Sequence, residues 1–397
     1  MNKVLDSIYF SPTKSLMNNI CNLMSERTSG KSYRSQKYSL DSIERSSIDY
    51  GNNNIVWKKN AETIHYTNYI NLWEKHTRIL MHKDQIFSYF LDGSRHAYKI
   101  DDIAYYDGTR SPVYPIIAGQ VGVGCCVRIN KTIKPLKFQR ELIISMPDIS
   151  NAGGKPGFFA CLLNEINEIQ EIKHNDLKFS DILPYKTSKD EKQYSDRGVA
   201  CIQNRMSENE RRLVAELVRH GRLNQDNYLI KDGSLEYNPS KKDSNDQKSY
   251  QTFKNNYAWV LGVSKNFNPE ICIDNHGKAN PGFIADLPLF HRTPVSCYEN
   301  PLLGDIQFAI WYIRIRDHKR TLSQFDGIIK VEKILSDSYD VIDSELVDLL
   351  SANLINERNP VCYGSDSRWA NHLYPIYLTE SYVKSKYLSS ECFMHLF

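Results

Sequence analysis

Two aspartates sit in the same local context. In Phe90-Leu91-Asp92-Gly93-Ser94 and in Leu229-Ile230-Lys231-Asp232-Gly233-Ser234, an apolar run meets an Asp and Gly-Ser follows. A carboxylate at a strand end points into the crevice where sheet proteins bind ligands. The Gly after it lets backbone or substrate come close. Asp-Gly is also ordinary turn chemistry, so one copy would say little; two copies on apolar segments point to a site. Carboxylates gathered in this way hold hard cations such as Mg²⁺ or Mn²⁺. Two such ions about 4 Å apart can hydrolyse a phosphodiester, one activating water and the other stabilising the leaving oxygen.

A third carboxylate is expected from a helix beside the strands. Ser207–Arg219 offers Glu208, Glu210 and Glu216. Glu210 is the first choice, and Glu216 is held in reserve. Ser207 and Glu210 also have the spacing of a capping box, which would give Glu210 a structural role at a helix start. Lys265, after the apolar run Trp259–Val263, would suit a phosphate contact as a point charge, or would simply face solvent.

The elements that must place these groups follow from periodicity. Val4–Met24 has helical spacing, Ser25–Asn54 is polar and reads as a mobile linker, and Ile64–Met81 is helical again. Residues 1–83 are therefore expected to form an N-terminal arm, with the main domain over 84–397. Gln85–Leu91 is predicted to be a strand ending at Asp92-Gly93-Ser94. His96–Tyr106, Ile116–Ile129 and Leu136–Met146 follow as strands joined by polar turns. Gly119, Gly122 and Gly124 weaken the second of these and permit close packing, and no phosphate loop follows them. Residues 151–197 read as a polar insertion and 266–300 as a long loop or lid. Strands at Tyr228–Ile230, Trp259–Val263, Ile306–Arg316 and Gly327–Ile334 and helices at Ser207–Arg219, Ser344–Leu354 and Trp369–Leu388 complete a mixed α/β sheet flanked by helices. Three early antiparallel strands, a helix and further parallel strands are compatible with a ribonuclease H-like core, among other α/β folds.

Composition narrows the class only modestly. With 50 Lys+Arg against 47 Asp+Glu, the formal charge of the 397 residues is +3, so no polyanionic partner is demanded. Nine cysteines without a Cys-x-x-Cys pair fit a reducing compartment. The N-terminus has no signal-peptide core, and no stretch approaches the roughly 20 apolar residues of a membrane span. A cytoplasmic protein with no membrane association is expected.

The motifs together resemble the NurA nuclease family. The resemblance rests on Phe90-Leu91-Asp92-Gly93-Ser94-Arg95, the Glu-bearing helix, Leu229-Ile230-Lys231-Asp232-Gly233-Ser234-Leu235, Leu261-Gly262-Val263-Ser264-Lys265 and Leu373-Tyr374-Pro375, in that order over roughly residues 84–397. It implies a ribonuclease H-like, Mn²⁺-dependent (or Mg²⁺-dependent) DNA endo/exonuclease, usually a homodimer. It also implies a HerA-type hexameric DNA-translocating ATPase as partner, in DNA end processing or in defence against phage. Carried across, Asp92, Glu210 and Asp232 would ligate metal, Tyr374 would lie beside the site, and Lys265 and Arg95 would touch substrate. The family places an Ala-His pair after Tyr-Pro, whereas this chain continues Ile376-Tyr377-Leu378-Thr379-Glu380. Glu380 could supply a carboxylate there, and His372 sits just upstream.

Two functions from different classes follow. One is an active metal-dependent DNA nuclease. The other is a non-catalytic DNA-binding or scaffold subunit of an ATPase complex, which the missing His favours. A Piwi-like guide-dependent nuclease would share the core but would need further guide-binding domains.

Overall fold

The computed structural model describes residues 19–41, 56–58, 61–82, 85–106, 108–151, 153–187, 194–236, 247–268, 278, 280–299, 306–321, 323–335, 341–360 and 367–397. The expected N-terminal helix up to residue 18, and the expected linker over 42–55, lie outside these residues. The first part supplies α1 (Asn19–Thr28), β1 (Lys31–Ser32), β2 (Tyr38–Ser39), β3 (Val56–Lys58), β4 (Ile70–Asn71) and α2 (Trp73–His82). A long meander follows: β5 (Phe87–Ala104), β6 (Val113–Ile129) and β7 (Thr132–Pro147). Next come α3 (Phe158–Glu168), α4 (Gln170–His174), β8 (Phe179–Tyr185), α5 (Tyr194–Arg219), β9 (Tyr228–Asp232), α6 (Gln247–Asn256) and β10 (Val260–Ser264). The last part holds α7 (Pro281–Ala285), β11 (His291–Arg292), β12 (Ser296–Glu299), β13 (Gln307–Arg314), β14 (Ile328–Ile334), α8 (Ser344–Asn356), α9 (Tyr374–Lys384) and α10 (Ser390–Met394).

These strands join one mixed sheet, with the main order β3-β12-β13-β14-β10-β9-β5-β6-β7-β8. β5, β6 and β7 pair antiparallel, and β9 and then β10 are added parallel to β5. The protein is therefore a mixed α/β sheet flanked by helices, as expected. No helix among the described residues is long and apolar enough to cross a membrane.

The centre of the sheet is covered on both faces, which explains the composition of β6. Ile116–Val127 is buried without a break, as a strand sandwiched between two helical layers must be. Side chains alternate faces along a strand, and the glycines show which helix lies on which side. A Cβ on Gly119 would meet Ile202 of α5 at 2.9 Å, whereas one on Gly124 would meet Val383 of α9 at 2.5 Å. The close packing expected at these glycines is what holds α5 and α9 against opposite faces.

Several sequence expectations change. β5 does not end at Asp92-Gly93-Ser94; it runs through them for 18 residues. Asp92, Gly93 and Ser94 pair with Gly124, Val123 and Gly122 of the equally long β6, and a continuous ladder removes any need to turn. The helix expected at Ser207 begins instead at Tyr194. Ser207 and Glu210 are therefore mid-helix, where no orphan amides exist for a capping box to satisfy.

The described part of the polar linker is also pinned. β1 and β2 pair with the far half of β5, beyond the reach of the five-residue β9. They satisfy backbone groups that would otherwise be orphaned. Asp101, fully buried, accepts from Ser32 Oγ and from the amide of Ser35 at 3.0 Å. Within the expected insertion, β8 extends the sheet parallel to β7. Within the expected lid, β11 and β12 pair with β13. Arg292 of β11, fully buried, reaches Glu62 at 2.8 Å and Asp348 of α8 at 2.6 Å, tying the segment before α2 to the C-terminal part of the fold.

The seating of α9 on β6 is testable. Gly124→Ala is expected to push α9 away through Val383 and to destabilise the fold by about 1–3 kcal/mol in denaturant unfolding. An unchanged midpoint would mean that the glycine does not set this contact.

Candidate active site

The site lies where β5, β9 and β10 present their side chains between α5 and α9. Asp92 stands on the α9 face of β5, since its cross-strand partner Gly124 packs under α9. Asp232 ends β9, and here the Asp-Gly step is a true turn, with Gly233 at φ 82°. Only residues without a Cβ adopt that conformation at little cost. A cleft of about 240 Å³ opens beside these two residues, and Asp92, Glu210, Lys231, Asp232 and Gly233 are among its lining. All three carboxylates expected to ligate metal thus face one cleft.

Gly93 has a different role from the one expected. It does not turn the chain; it makes room. A Cβ there would collide with Glu210 Oε1, so the bare backbone admits the Glu210 carboxylate from α5. Glu210 is 3% exposed and lies 3.0 Å from Lys231 Nζ. The Lys231 ammonium also donates to the carbonyls of Asp232 at 3.0 Å and Ser234 at 3.1 Å. Its three protons are thereby used, and the turn after Asp232 is fixed from below.

On the α9 side, Lys265 follows β10 and is neither solvent-facing nor free. Its Nζ lies 3.0 Å from Asp232 Oδ2 and 3.3 Å from Glu380 Oε2, with the side chain 11% exposed. Glu380 projects from α9 and also takes Lys384 Nζ at 2.7 Å. Glu380 therefore does supply a carboxylate to the cluster. Asp92 differs from all of these: it is 4% exposed, and no hydrogen bond or ion pair among the described residues reaches its carboxylate.

Burial pushes the Asp92 carboxyl well above the usual range, and the neighbouring Asp232 adds to the shift. Burial also raises Glu210, with Lys231 opposing. Lys231 would be lowered by burial, but Glu210 and the two aspartates outweigh this and raise it. Glu380 goes the other way: despite burial, Lys265 and Lys384 hold it down at about 2.

Other expected site residues are not brought in. Arg95 lies an odd number of residues from Asp92 on the same strand, so it faces α5. There it donates to Gln203 Oε1 at 2.6 Å and pairs with Asp41 at 3.5 Å, away from the α9-side carboxylates. Tyr374 opens α9 with its side chain 43% exposed, and it does not line the cleft. Glu216 is turned outward to Lys137, and Glu208 pairs with Arg205 and Arg212. His372 is buried against the Tyr377 ring.

Two residues with clear roles were not assigned from sequence. Lys231 was one, although a lysine inside an apolar strand directly before the Asp is a visible anomaly. Glu332 of β14 was the other. Fully buried, it accepts from Ser234 Oγ and from the amide of Leu235, both at 2.8 Å, and so clamps the turn after Asp232. Its signal was a Glu between two lysines in the otherwise apolar Ile328–Ile334.

The donor set is hard oxygen, as Mg²⁺ or Mn²⁺ prefers, and the unpartnered buried Asp92 is the kind of group that a cation would satisfy. Among the described residues, however, no three His, Cys, Asp or Glu side chains converge as a metal shell. Lys231 and Lys265 hold Glu210 and Asp232 in ion pairs instead. The residues fit a cation at Asp92 and Asp232, not a preformed three-carboxylate shell.

No protein-family model matches the chain, and no curated protein matches it in sequence. Among solved structures, the crystal structure of the NurA nuclease from Sulfolobus solfataricus is similar over 79% of this chain and 86% of that one, at 10% identity and a TM-score of 0.40. An overlay this loose transfers neither fold nor residue roles, and the site stands on its own geometry.

The unpartnered carboxylate has a stability signature. Because the folded state raises the pKa of Asp92 above its usual 3.8, ionising it at neutral pH destabilises the fold. Asp92→Asn is therefore expected to raise the thermal midpoint at pH 7 by about 2 °C or more. The gain should vanish below pH 3.8, where the carboxyl is protonated in both states. A lowered midpoint at pH 7 would show that Asp92 is not held under strain.

Proposed function

We propose that the protein is a divalent-metal-dependent nuclease that hydrolyses phosphodiester bonds in DNA on a ribonuclease H-like core. The observation that carries the reading is the buried Asp92 carboxylate, without a hydrogen bond among the described residues, beside Asp232 and opening on a cleft. Strand order supports the core: an antiparallel meander, then a helix, then strands added parallel to the first, in the spatial order β7-β6-β5-β9-β10. The ordered motifs that resemble the NurA family support the substrate class.

In this reading Asp92 and Asp232 hold Mn²⁺ or Mg²⁺, and Glu210 is the third carboxylate facing the cleft. The chemistry such an ion supplies when bound is an activated water and charge stabilisation at the leaving oxygen. The rest is positioning. Lys265 fixes Asp232 from the α9 side, and Lys231 and Glu332 fix the turn that follows it. Arg95 and Tyr374 have no part in this reading.

A second reading has its own observation. Lys231 and Lys265 already neutralise Glu210 and Asp232 within the fold, as a scaffold subunit without catalysis would allow. A HerA-type hexameric ATPase and a second copy of the chain are proposed as partners on the motif resemblance alone. Sedimentation of the chain, alone and with such an ATPase, tests both.

Cleavage of labelled linear and circular DNA decides between the readings. With Mn²⁺ the chain is expected to cut, with EDTA it is not, and Asp92→Asn or Asp232→Asn should each slow cutting by about 100-fold or more. Full cleavage by both variants would remove the site. No cleavage by the folded wild-type chain would favour the scaffold.

A further inference from the structure

Two-metal hydrolytic centres set their cations about 4 Å apart, bridged by shared carboxylate. In this site Asp232 is the carboxylate that acts most strongly on Asp92, and both line the cleft. One of the Asp232 oxygens, Oδ2, is already taken by Lys265 Nζ at 3.0 Å, and the same ammonium reaches Glu380 Oε2 at 3.3 Å. A fixed positive charge therefore stands between Asp232 and Glu380, where a second ion would have to be held.

We propose that Lys265 is the resident counter-cation of this centre, so that the cleft takes one divalent ion, at Asp92 and Asp232, rather than two. The inference rests on the metal-dependent reading above and fixes its stoichiometry. Three further observations bear on it. Asp92 is 4% exposed, lines the cleft and has no hydrogen bond or ion pair among the described residues, so one cation position is open. The position at Glu380 Oε2 is closed by the buried Lys265, while the half-exposed Lys384 takes only Oε1, at 2.7 Å. The charge balance agrees: with the cleft-lining Glu236 and Arg211 counted, Asp92, Glu210, Asp232, Glu236 and Glu380 face Lys231, Lys265, Lys384 and Arg211, leaving an excess of one negative charge. One divalent ion reverses that excess. Two would leave a strongly positive centre in a buried site, where like charges repel most.

Lys265 is itself tied in place. Its backbone carbonyl accepts from Asn371 Nδ2 at 2.8 Å, and the side chain is 11% exposed. Such a group is a fixed part of the centre rather than a surface lysine that swings in.

Calorimetric titration of the full chain with MnCl₂, read together with Mn²⁺ electron paramagnetic resonance, tests this. The wild-type chain is expected to take up about one ion with the spectrum of an isolated Mn²⁺, and Lys265→Arg the same. Lys265→Met, which frees Asp232 Oδ2 and Glu380 Oε2 and leaves Glu380 only the half-exposed Lys384, should take up about two ions and show a spin-coupled pair. Two ions in the wild type, or one in a Lys265→Met chain shown by circular dichroism to be folded, would overturn the inference. Should Lys265→Met not fold, the wild-type stoichiometry and spectrum still decide it. No uptake by the wild type would instead overturn the metal-dependent reading itself.

Discussion

Burying the Asp92 carboxylate in the middle of a paired strand costs free energy that the packing around it does not recover. Other buried charges at this end of the sheet have an answer. Glu210 has Lys231, Asp232 and Glu380 share Lys265, and Glu332 has Lys330 at 2.5 Å. Asp92 has no direct hydrogen bond or ion pair among the described residues, only the more distant pull of Lys265, and its position is over-determined by backbone pairing with Gly124. A fold that keeps an unanswered charge in its most constrained strand carries local strain of the kind that clusters at functional sites. The remaining features of the site can be understood as what is needed to hold that charge in place and open to a ligand.

Two close approaches do this work. On the α5 side Gly93 lets Glu210 come against the strand, and on the α9 side Gly124 lets Val383 do the same. Each helix thus sits low enough on the sheet to deliver one carboxylate. Strand parity sorts the charges further: Lys231 and Asp232 are adjacent, so β9 sends an ammonium toward α5 and a carboxylate toward α9. Gly262 completes the arrangement. A Cβ there would meet Leu235 at 2.8 Å and the carbonyl of Gly233 at 2.9 Å, so the turn after Asp232 can lie flat on β10.

What was legible in the sequence was local. The apolar runs of β9, β10, β13 and β14 and the helical period of α8 announced themselves, because burial on both faces, or on one stripe, is written in the residues themselves. Asp232 was read correctly as a strand end for the same reason. Asp92 was not, although its dipeptide is identical. Whether Asp-Gly turns or continues depends on whether a partner strand supplies hydrogen bonds beyond it, and that partner, β6, lies some thirty residues on. The start of α5 was misplaced because Ser207-x-x-Glu210 mimics a cap inside a longer helix. Residues 194–206, polar and carrying Gly198, hide the first half, and Gly198 is there because Ile117 lies against it. The edge strand β8 and the four-residue β12 beside β3 were read as insertion and loop because short strands of mixed polarity are specified by their neighbours more than by their own pattern. That Arg95 faces α5 and not the Asp92 side of the strand could have been read from parity alone.

The electrostatics of the cleft bear on what it can bind. Its carboxylates outnumber its ammonium groups, and DNA presents a dense row of phosphates. An acidic cleft by itself repels such a ligand, and burial strengthens the repulsion because the screening by water is lost. On the metal-dependent reading, a cation at Asp92 and Asp232 would therefore serve more than the chemistry. It would reverse the sign of the local field, so that binding metal and admitting a phosphate would become one linked event. Without it, this cleft selects against a polyanion, and a chain that still bound DNA would have to do so on another surface. The acidic excess at Asp92 thus makes the metal and the substrate a single proposition, in which neither stands without the other.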